Sequence, residues 1–378
     1  MKSIKTAIIG VGYRGQILLN LLSKIRSFNI IAIADPILSE YIQNKYHCYS
    51  NGADDYKNMI NKHVLDLVII SSPWTCHIEQ AMYAISKGCN VALEIKGGLS
   101  KGEYEPLIQL ANKSNVRIYP LENTVFMREH MGVLNMVNCG IFGEIVAIKG
   151  GYRHDLRKLL INEKGEIGKT GNSEGIWRSC FYKEKNCDIY PTHGLAPIYL
   201  FAGIRRHDKV TKLTSFSSKA CGMAEYIKSK SGDSSVKISM GDIIITQMKT
   251  EKGTILTLTH DTTLPRPKTF DIEIQGSKGI WRGEFRQIYI EGKSPYEKWE
   301  DDSKYISKYD HKFWKKWRKM AETTDTHHKG MDYIMLKAIA EDMKGNEAYP
   351  VNIQDLAFWT SITNLSMESI EKGTTLNL

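Results

Sequence analysis

Near its amino terminus the chain reads Ala7-Ile8-Ile9-Gly10-Val11-Gly12-Tyr13-Arg14-Gly15, an apolar run that passes directly into a loop with three glycines. The pattern G-x-G-x-x-G also arises by chance, so its surroundings decide its meaning. Here it follows a predicted strand, Lys5–Ile9, and opens a predicted helix, Gln16–Lys24. The glycines permit a tight turn and bring the backbone close to a pyrophosphate at the helix amino terminus. The stretch therefore predicts the first unit of a dinucleotide-binding fold.

A carboxylate at the end of the next predicted strand indicates which dinucleotide is bound. Asp35 follows the predicted strand Ile30–Ala34 and stands 20 residues after Gly15. An acid at this position accepts hydrogen bonds from the adenosine ribose hydroxyls, and it repels a 2′-phosphate. We therefore expect NAD as the cofactor, in preference to NADP.

Short apolar runs and amphipathic segments alternate through the first 120 residues. Three further strands are predicted at Leu65–Ser71, Asn90–Leu93 and Val116–Pro120. Helices are predicted at Glu40–Lys45, His77–Lys87 and Glu103–Ser114. Apolar strands joined by helices are typical of a parallel sheet that is covered on both faces. We predict a doubly wound Rossmann domain over residues 1–122.

The pattern changes after residue 122. Strands predicted at Ile243–Lys249, Thr254–Thr259 and Phe270–Gln275 alternate in polarity, which indicates an open, mainly antiparallel sheet with a solvated or ligand-facing side. Helices are predicted at Met131–Asn138, Met331–Met343 and Asp355–Ser369. The segment Asp155–Asp188 lacks clear periodicity and predicts a long loop, a feature that is often functional. We assign residues 123–378 to an α+β domain that binds substrate.

Composition argues against a disordered chain, a fibrous protein and a disulfide-rich scaffold. A length of 378 residues favours two domains, and 42% hydrophobic with 25% charged residues is typical of globular chains. The seven cysteines are scattered without a C-x-x-C pair, which favours reduced thiols and a cytoplasmic location. The amino-terminal sequence contains no apolar stretch of signal-peptide or membrane-helix length, so we expect no membrane partner.

The net charge of +9 comes from 51 basic and 42 acidic residues that are mixed along the chain. In the densest basic stretch, His311–Lys319, aromatic residues interleave with cations as on a nucleic-acid platform. Phe313 and Trp317 stand four apart, however, so one helical face that covers a core explains the aromatics as well. We favour that interpretation and expect no nucleic-acid partner.

Longer strings show a resemblance over nearly the whole chain. They are Leu121-Glu122-Asn123, Gly151-Tyr152-Arg153-His154-Asp155-Leu156-Arg157, Ile176-Trp177-Arg178, Tyr190-Pro191-Thr192-His193-Gly194-Leu195-Ala196-Pro197, His260-Asp261 with Pro265-Arg266-Pro267, and Gly330-Met331-Asp332. They resemble glycoside hydrolase family 109, the NAD-dependent α-N-acetylgalactosaminidases. Ser72-Pro73-Trp74 and Leu93-Glu94 resemble the wider glucose-fructose oxidoreductase and inositol dehydrogenase superfamily. Most of those enzymes continue the last motif as E-K-P, whereas this chain has Glu94-Ile95-Lys96.

The resemblance implies two sets of site residues. Around NAD it implies Tyr13, Arg14, Asp35, Trp74, His77, Glu94, Ile95 and Asn123, beside the glycines Gly10, Gly12 and Gly15. In the substrate site it implies Tyr152, Arg178, Tyr190 and His193. The family usually has a tyrosine that contacts substrate after P-R-P, and Lys268 in its place leaves the identity of the sugar open.

The activity that the resemblance implies is hydrolysis of terminal α-N-acetylgalactosamine or a related hexosaminide. NAD oxidises C3, C2 loses its proton, the aglycone is eliminated, water adds and C3 is reduced again, so no carboxylate pair is required. His193 is our candidate base at C3, because an ordinary imidazole pKa of ~6.5 suits proton exchange. Tyr152 is our candidate at C2, where adjacent cations lower the cost of its phenolate. Arg178 would hold the substrate or stabilise the enolate, and Tyr190 would contact sugar hydroxyls.

Other interpretations stay open. His193 before Gly194 can simply cap a helix, and tyrosines often pack with a hydrogen-bonded hydroxyl. A sugar oxidoreductase that consumes NAD is the alternative function, although the isoleucine in place of the E-K-P lysine favours the hydrolase. A nucleotide-bound regulatory or scaffold protein without turnover is a third hypothesis.

The expected partner is a small-molecule or glycan-terminal sugar. The oligomeric state stays open, with a homodimer through the C-terminal sheet as one arrangement that related folds adopt. Glu122, His154, Asp155 and His328 are interpreted as supporting or structural residues. The pair His327-His328 lacks a third ligand at a suitable spacing, so no metal is assigned.

Overall fold

The computed structural model describes residues 3–98, 100–233 and 235–378, and for Ser173 the backbone alone. The chain divides into two compact units. Unit 1 contains the chain up to Asn123 together with Lys316–Thr360, and unit 2 contains Thr124–Lys315 and Ser361–Leu378. The inclusion of residues 316–360 in unit 1 differs from the predicted boundary after residue 122.

Unit 1 contains a Rossmann fold, as the sequence predicts. Its elements are β1 (Ile4–Ile9), α1 (Tyr13–Lys24), β2 (Phe28–Ala34), α2 (Glu40–Lys45), β3 (Cys48–Tyr49), α3 (Asp55–Lys62), β4 (Leu67–Ile70), α4 (His77–Ser86), β5 (Asn90–Leu93), α5 (Lys101–Ser114) and β6 (Ile118–Pro120). The strands form a sheet in the order β3-β2-β1-β4-β5-β6. All of its pairings are parallel. Every residue of β4 is buried, because this Leu-Val-Ile-Ile strand is covered on both faces.

Unit 2 is built on a mixed, mainly antiparallel sheet, which confirms the predicted class. Its elements are α6 (Arg128–Asn138), β7 (Ile145–Arg153), α7 (Arg157–Leu160), α8 (Ser173–Glu184), α9 (Thr192–Phe201), β8 (Val210–Ser217), α10 (Gly222–Ser231), β9 (Ile243–Thr250), β10 (Ile255–Asp261), β11 (Glu273–Gly276), β12 (Gly279–Arg282), β13 (Gln287–Ile290), β14 (Glu300–Asp301) and α11 (Ser303–Lys308). The chain continues through α12 (Lys312–Thr324), α13 (Met331–Met343), α14 (Ile353–Lys372) and β15 (Leu376–Asn377).

The sheet of unit 2 has nine strands in the order β14-β13-β12-β11-β7-β10-β9-β8-β15. Only β7 and β10 pair in parallel among these described strands. In β9 buried residues alternate with exposed ones, which is the period-two pattern that predicted an open sheet. All residues of α9 except His193 are buried, so this helix covers part of the sheet and lies within the core.

The prediction of one long loop over Asp155–Asp188 is wrong. The segment contains the short helix α7 and the three-turn helix α8. The helical pattern is hidden because α8 buries a charged residue, Arg178, beside the buried aromatics Phe181 and Tyr182. A helix that buries a charge lacks the simple apolar stripe on which sequence prediction depends.

The basic aromatic stretch lies in α12, as the core-covering interpretation predicts. Phe313 and Trp314 are buried and Trp317 is half-buried. The Trp314 indole N–H donates to the carbonyl oxygen of Phe126 at 2.9 Å. Within the described residues, no helix combines the length and the apolar character that crossing a membrane requires.

Candidate active site

The glycine loop of unit 1 has a backbone that only glycine fits. Gly10 has a φ of +84°, and a Cβ added there would lie 2.5 Å from the backbone nitrogen of Ser72. A Cβ on Gly15 would collide with the carbonyl oxygen of Gly10. Gly12 precedes the first residue of α1, Tyr13, so the positive end of the helix dipole lies at this loop. The loop thus fits a pyrophosphate at the helix amino terminus.

Asp35 directly follows β2 and is tied to the same loop. One carboxylate oxygen accepts the backbone N–H of Val11 at 2.7 Å, and the other accepts that of Ile37 at 2.8 Å. A carboxylate has about four acceptor positions, so both oxygens retain capacity for ribose hydroxyls. The geometry fits the predicted recognition of the adenosine ribose.

Arg14, in the first turn of α1, is held by two carboxylates. Its Nε donates to Glu94 at 2.8 Å, and its terminal nitrogens donate to both oxygens of Asp332 at 2.5 and 2.9 Å. Asp332 lies on α13, is fully buried, and also accepts from Asn123 at 2.9 Å. This bidentate pair fixes the guanidinium beside the glycine loop.

Burial and the Arg14 charge act in opposite directions on the two acids. Burial raises the pKa of Glu94 to about 6, although Arg14 opposes the shift. Burial would also raise the pKa of Asp332, but the charge and hydrogen bonds of Arg14 hold it well below its usual range. Asp332 is therefore ionised throughout the physiological pH range, whereas the pKa of Glu94 lies just below that range.

Three potential metal ligands lie together near Arg14. Ligand atoms of Asp325, His328 and Asp332 are within 4.8 Å of one another. The fold thus brings two acids close to His328 that the sequence spacing did not identify as ligands. Arg14 already pairs with Asp332, and Asp325 accepts the backbone N–H groups of His328 and Asp332. These donors satisfy the carboxylates, and we assign no metal.

Two buried polar side chains of unit 1 lie among the predicted cofactor residues. His77 places Nε2 2.6 Å from the carbonyl oxygen of Ser72, and burial lowers its pKa to about 4, so the ring is neutral. The Oδ1 of Asn123 is buried and makes no hydrogen bond within the described part of the chain. Such an unsatisfied atom is costly unless a ligand completes it, which fits a bound dinucleotide.

The other predicted cofactor residues also lie in unit 1. The indole N–H of Trp74 donates to the carbonyl oxygen of Ile95 at 3.2 Å, and both side chains are buried. Tyr13 is 49% exposed, and its hydroxyl is 3.0 Å from Nε2 of His327. The predicted cofactor residues follow the carboxyl ends of β1, β2, β4, β5 and β6, or lie in the first turn of α1 or α4, where a doubly wound sheet typically binds its ligand.

Unit 2 brings the four predicted substrate residues together. Tyr152 lies near the end of β7, Arg178 on α8, Tyr190 just before α9 and His193 in the first turn of α9. Ring centroids are 4.9 Å apart for Tyr152 and Tyr190, 5.3 Å for Tyr152 and His193, and 4.9 Å for Tyr190 and His193. The guanidinium carbon of Arg178 is 4.6 Å from the Tyr190 ring centroid. We call these four residues, with His154, the tyrosine–histidine cluster.

A close backbone contact positions His193. A Cβ added to Gly194 would lie 2.6 Å from Cα of Gly151, so β7 and the start of α9 touch through two glycines. Thr124 also donates its hydroxyl to the carbonyl oxygen of His193 at 3.1 Å. The specific strings around Gly151 and Gly194 thus set the distance between Tyr152 and His193.

Arg178 is a buried cation with a defined partner. It is 2% exposed, and it donates to the Glu174 carboxylate one turn earlier at 2.6 Å. Burial would lower the pKa of Arg178, but Tyr182 and Glu174 hold it above its ordinary value. The side chain therefore keeps a fixed positive charge against the Tyr190 ring.

Arg178 lowers the cost of the Tyr152 phenolate, as expected, but the structure adds a larger opposite effect from burial. Burial raises the pKa of Tyr152 well above the ordinary value, and the opposing charge of Arg178 does not overcome this shift. The Tyr152 hydroxyl lies 3.2 Å from Nδ1 of His154. Burial, followed by Lys268 and Arg178, lowers the pKa of His154 to about 4, so its ring is neutral at pH 7. Neutral His154 can accept the proton of Tyr152 in the tautomer protonated on Nε2.

Sequence reasoning missed several residues of both sites. The spacing of Glu174 and Arg178, four apart, was a signal for their ion pair. Asp332 stood in a recognised motif without a role, and His154 was interpreted as supporting. Phe270, whose ring centroid is 5.9 Å from that of His193, reaches the cluster from a distant segment that no local pattern marks.

A Rossmann unit with an NAD loop, joined to a mixed sheet that carries clustered tyrosines and histidines, defines a nucleotide-dependent protein of oxidoreductase-like architecture. Residues 4–120 match the oxidoreductase family with an NAD-binding Rossmann fold. Residues 126–377 match the C-terminal domain of glycosyl hydrolase 109. The chain belongs to glycosyl hydrolase family 109. It is a glycoside hydrolase, and its cofactor is NAD, as the sequence predicts.

Two similar proteins extend over nearly the same length. A glycosyl hydrolase family 109 protein of Stenotrophomonas maltophilia (strain K279a) is 33% identical over 98% of this chain and 87% of its own. An alpha-N-acetylgalactosaminidase of Tannerella forsythia is 31% identical over 98% of this chain and 84% of its own.

Solved structures share the fold. The myo-inositol 2-dehydrogenase of Lactobacillus plantarum has a TM-score of 0.71 and 18% identity, with all of both chains covered. The scyllo-inositol dehydrogenase of Lactobacillus casei with bound NAD(H) and scyllo-inositol has a TM-score of 0.68 and 17% identity, over 100% of this chain and 99% of that one. Identities this low show the architecture alone.

Proposed function

We propose that the protein hydrolyses terminal α-linked N-acetylgalactosamine, or a related hexosaminide, with NAD as a recycled cofactor. The tyrosine–histidine cluster carries the proposal, because it places two separate proton acceptors side by side. His193 is one acceptor, and Tyr152 with its partner His154 is the other. A route through C3 oxidation and C2 deprotonation requires two such groups.

When bound, NAD supplies reversible oxidation at C3 of the sugar. His193 accepts the proton of the C3 hydroxyl as the hydride leaves, and it returns this proton when C3 is reduced again. Its Nε2 lies 3.4 Å from the Tyr190 hydroxyl, so Tyr190 orients the imidazole and contacts sugar hydroxyls. Arg178, fixed against Tyr190, stabilises the negative charge on the enolate oxygen.

Tyr152 removes the C2 proton, which the C3 ketone has made acidic. Because burial disfavours a free phenolate, the Tyr152 proton moves to neutral His154 as the phenol oxygen takes the proton from carbon. The electron pair left at C2 forms the C1–C2 double bond, the C1–oxygen bond to the aglycone breaks, and the aglycone oxygen takes a proton from solvent. The oxygen of a water molecule then bonds to C1, its released proton replaces the one that the aglycone took, and C2 regains a proton from Tyr152, which recovers its own from His154. The sum is hydrolysis with no net oxidation.

Two further observations support hydrolysis over oxidation. The relative from Tannerella forsythia is named an alpha-N-acetylgalactosaminidase. Where the resemblance places the lysine of most superfamily dehydrogenases, Ile95 is buried and cannot transfer a proton. The neighbouring Lys96 is buried as well, with its ammonium 5.3 Å from the Trp74 ring centroid.

Incubation of the NAD-loaded protein with aryl α-glycosides of N-acetylgalactosamine and its epimers tests the function. We expect aglycone release to continue for many turnovers without added NAD and without accumulation of NADH. Stoichiometric NADH accumulation without aglycone release would identify the alternative, a sugar dehydrogenase.

A further inference from the structure

Lys268 has a fixed place opposite the tyrosine–histidine cluster. Arg153 and Thr269 form an antiparallel bridge in which each backbone N–H donates to the other carbonyl, at 3.1 and 2.8 Å. In such a pairing the flanking residues stand across from each other, so Lys268 faces His154 and Phe270 faces Tyr152. The backbone N–H of Gly151 also donates to the carbonyl oxygen of Phe270 at 2.7 Å.

The segment before Lys268 is anchored by a buried acid. Arg266 donates to Asp261 at 2.6 Å and to the Thr269 hydroxyl at 3.0 Å. Asp261 is 2% exposed and accepts a second hydrogen bond, from Arg153, at 3.2 Å. The backbone on both sides of Lys268 is therefore held against β7 and β10, unlike that of a lysine on a free surface loop.

The Lys268 ammonium lies close to the rings of Tyr152 and Phe270. It lies 5.9 Å from the Tyr152 ring centroid and 5.4 Å from that of Phe270. Of the charged groups that act on His154, Lys268 contributes most to the lowered pKa after burial, followed by Arg178. A positive charge therefore acts on the cluster from the Lys268 side, where the resemblance places an uncharged tyrosine.

We infer that the sugar bound at the tyrosine–histidine cluster carries an acidic substituent on its ring, a carboxylate or a sulfate, and that Lys268 binds it. The inference rests on the proposed function and narrows its substrate class. Lys268 is exposed, and its ammonium can form a charge-assisted hydrogen bond to an anionic substituent, which is stronger than a hydrogen bond to a neutral hydroxyl.

Three aryl α-glycosides test the inference: those of N-acetylgalactosamine, of its 6-sulfate and of N-acetylgalactosaminuronic acid. We expect kcat/KM of the wild type to be at least about 10-fold higher for one acidic glycoside than for the neutral one. Lys268→Met should lower this acidic-to-neutral ratio by about 10- to 100-fold, and Lys268→Arg should largely keep it. Lys293→Met, at an exposed lysine of the same unit, serves as the matched control.

A ratio of one or below in the wild type, or a ratio that Lys268→Met leaves unchanged, overturns the inference. Calorimetry of free N-acetylgalactosamine and its 6-sulfate with the NAD-loaded protein separates the two proposals. If no glycoside is cleaved but the acidic sugar binds more tightly through Lys268, hydrolysis of these sugars fails and the inference stands. If all glycosides are cleaved without acidic preference, hydrolysis stands and the inference fails.

Discussion

Unit 1 forms the predicted phosphate-binding part of its candidate site from backbone, whereas unit 2 forms its candidate site from side chains. In unit 1 the glycines Gly10 and Gly15 allow the chain to pass close to itself, and Asp35 follows a parallel strand. In unit 2, β7, α8 and α9 each supply a different side chain, and the segment around Phe270 supplies another.

This difference separates what each site can do. A backbone cradle at a helix amino terminus binds a phosphate without performing proton transfer. A cluster of ring nitrogens and hydroxyls within hydrogen-bonding reach can move protons, but only if packing holds the rings in place. We therefore expect single side-chain changes in unit 2 to alter the chemical steps, and changes in unit 1 to alter cofactor affinity and selectivity.

The largest effects should come from removing the two proposed bases. His193→Ala should suppress formation of reduced nicotinamide, because the C3 hydroxyl proton then has no acceptor. Tyr152→Phe should still give a transient of reduced nicotinamide, while aglycone release slows by ~10² to 10⁴. Stopped-flow absorbance of the nicotinamide, recorded beside aglycone release, measures both.

Tyr289→Phe, at a half-buried tyrosine on β13, is the matched control and should retain the wild-type rates. If Tyr152→Phe abolishes the transient and His193→Ala keeps it, the two roles are reversed. If neither variant loses activity, the tyrosine–histidine cluster is not the reaction site.

A smaller effect is expected in unit 1. Asp35→Ser should weaken NAD binding by about 10- to 100-fold, since a carboxylate that accepts ribose hydroxyls is lost. The preference for NAD over NADP should also disappear, because the repulsion of the 2′-phosphate is removed. Calorimetry with both nucleotides measures the change, and Glu40→Ser, at an exposed acid on α2, is the control. Equal wild-type affinities for the two nucleotides would refute the role of Asp35.

His154 supports Tyr152, so removal of His154 should slow the reaction less than removal of Tyr152 does. His154→Gln should slow proton exchange at C2 by less than the ~10²-fold expected at minimum for loss of a directly acting base. It should leave C3 oxidation unchanged. Mass spectrometry of deuterium exchange at C2 reports the first step, and nicotinamide absorbance reports the second. His207→Gln, at an exposed histidine, is the control. A variant that slows both steps equally would point to a merely structural role for His154.

The smallest predicted effect is on stability. The folded pKa of His154, about 4, lies below the ordinary 6.5, so the unfolded chain binds more protons between these values. The contribution of this group to stability is therefore lost as pH falls from 6.5 to 4. As pH falls from 6.5 to 4, the free energy of unfolding of the wild type should decrease by on the order of 1 kcal/mol more than that of His154→Gln, after discounting for solvent screening. Urea unfolding of both proteins across this range measures the difference, and parallel pH profiles would contradict it.

Much of unit 1 could be predicted from the sequence. β5 and α2 have the predicted bounds, because apolar runs and amphipathic periodicity are local properties. The two-residue strand β3 was not predicted, since it is too short to show a period. The helix α3 was missed although its buried residues Tyr56, Met59 and Ile60 have the spacing of an amphipathic helix. The placement of residues 316–360 in unit 1 depends on distant packing that no local pattern encodes.

In unit 2 residue types alone did not distinguish the cluster from ordinary core residues. Family resemblance alone suggested Tyr152, Tyr190 and His193. The structure adds that the centroids of their rings lie within 5.3 Å of one another. The charge of Arg178 lowers the cost of the Tyr152 phenolate, as predicted, but burial, which sequence does not reveal, outweighs it. Similarly, Lys268 faces His154 only because of a bridge between residues more than a hundred positions apart.

The most direct test of the account is hydrolysis of an aryl α-hexosaminide in deuterated water by the NAD-loaded protein, with no NAD added. The C2 proton is removed and replaced during every turnover in the proposed reaction, while the C3 hydride leaves and returns. We predict product that carries deuterium at C2 and protium at C3, as read by NMR. Product that carries only protium at C2 would contradict the account.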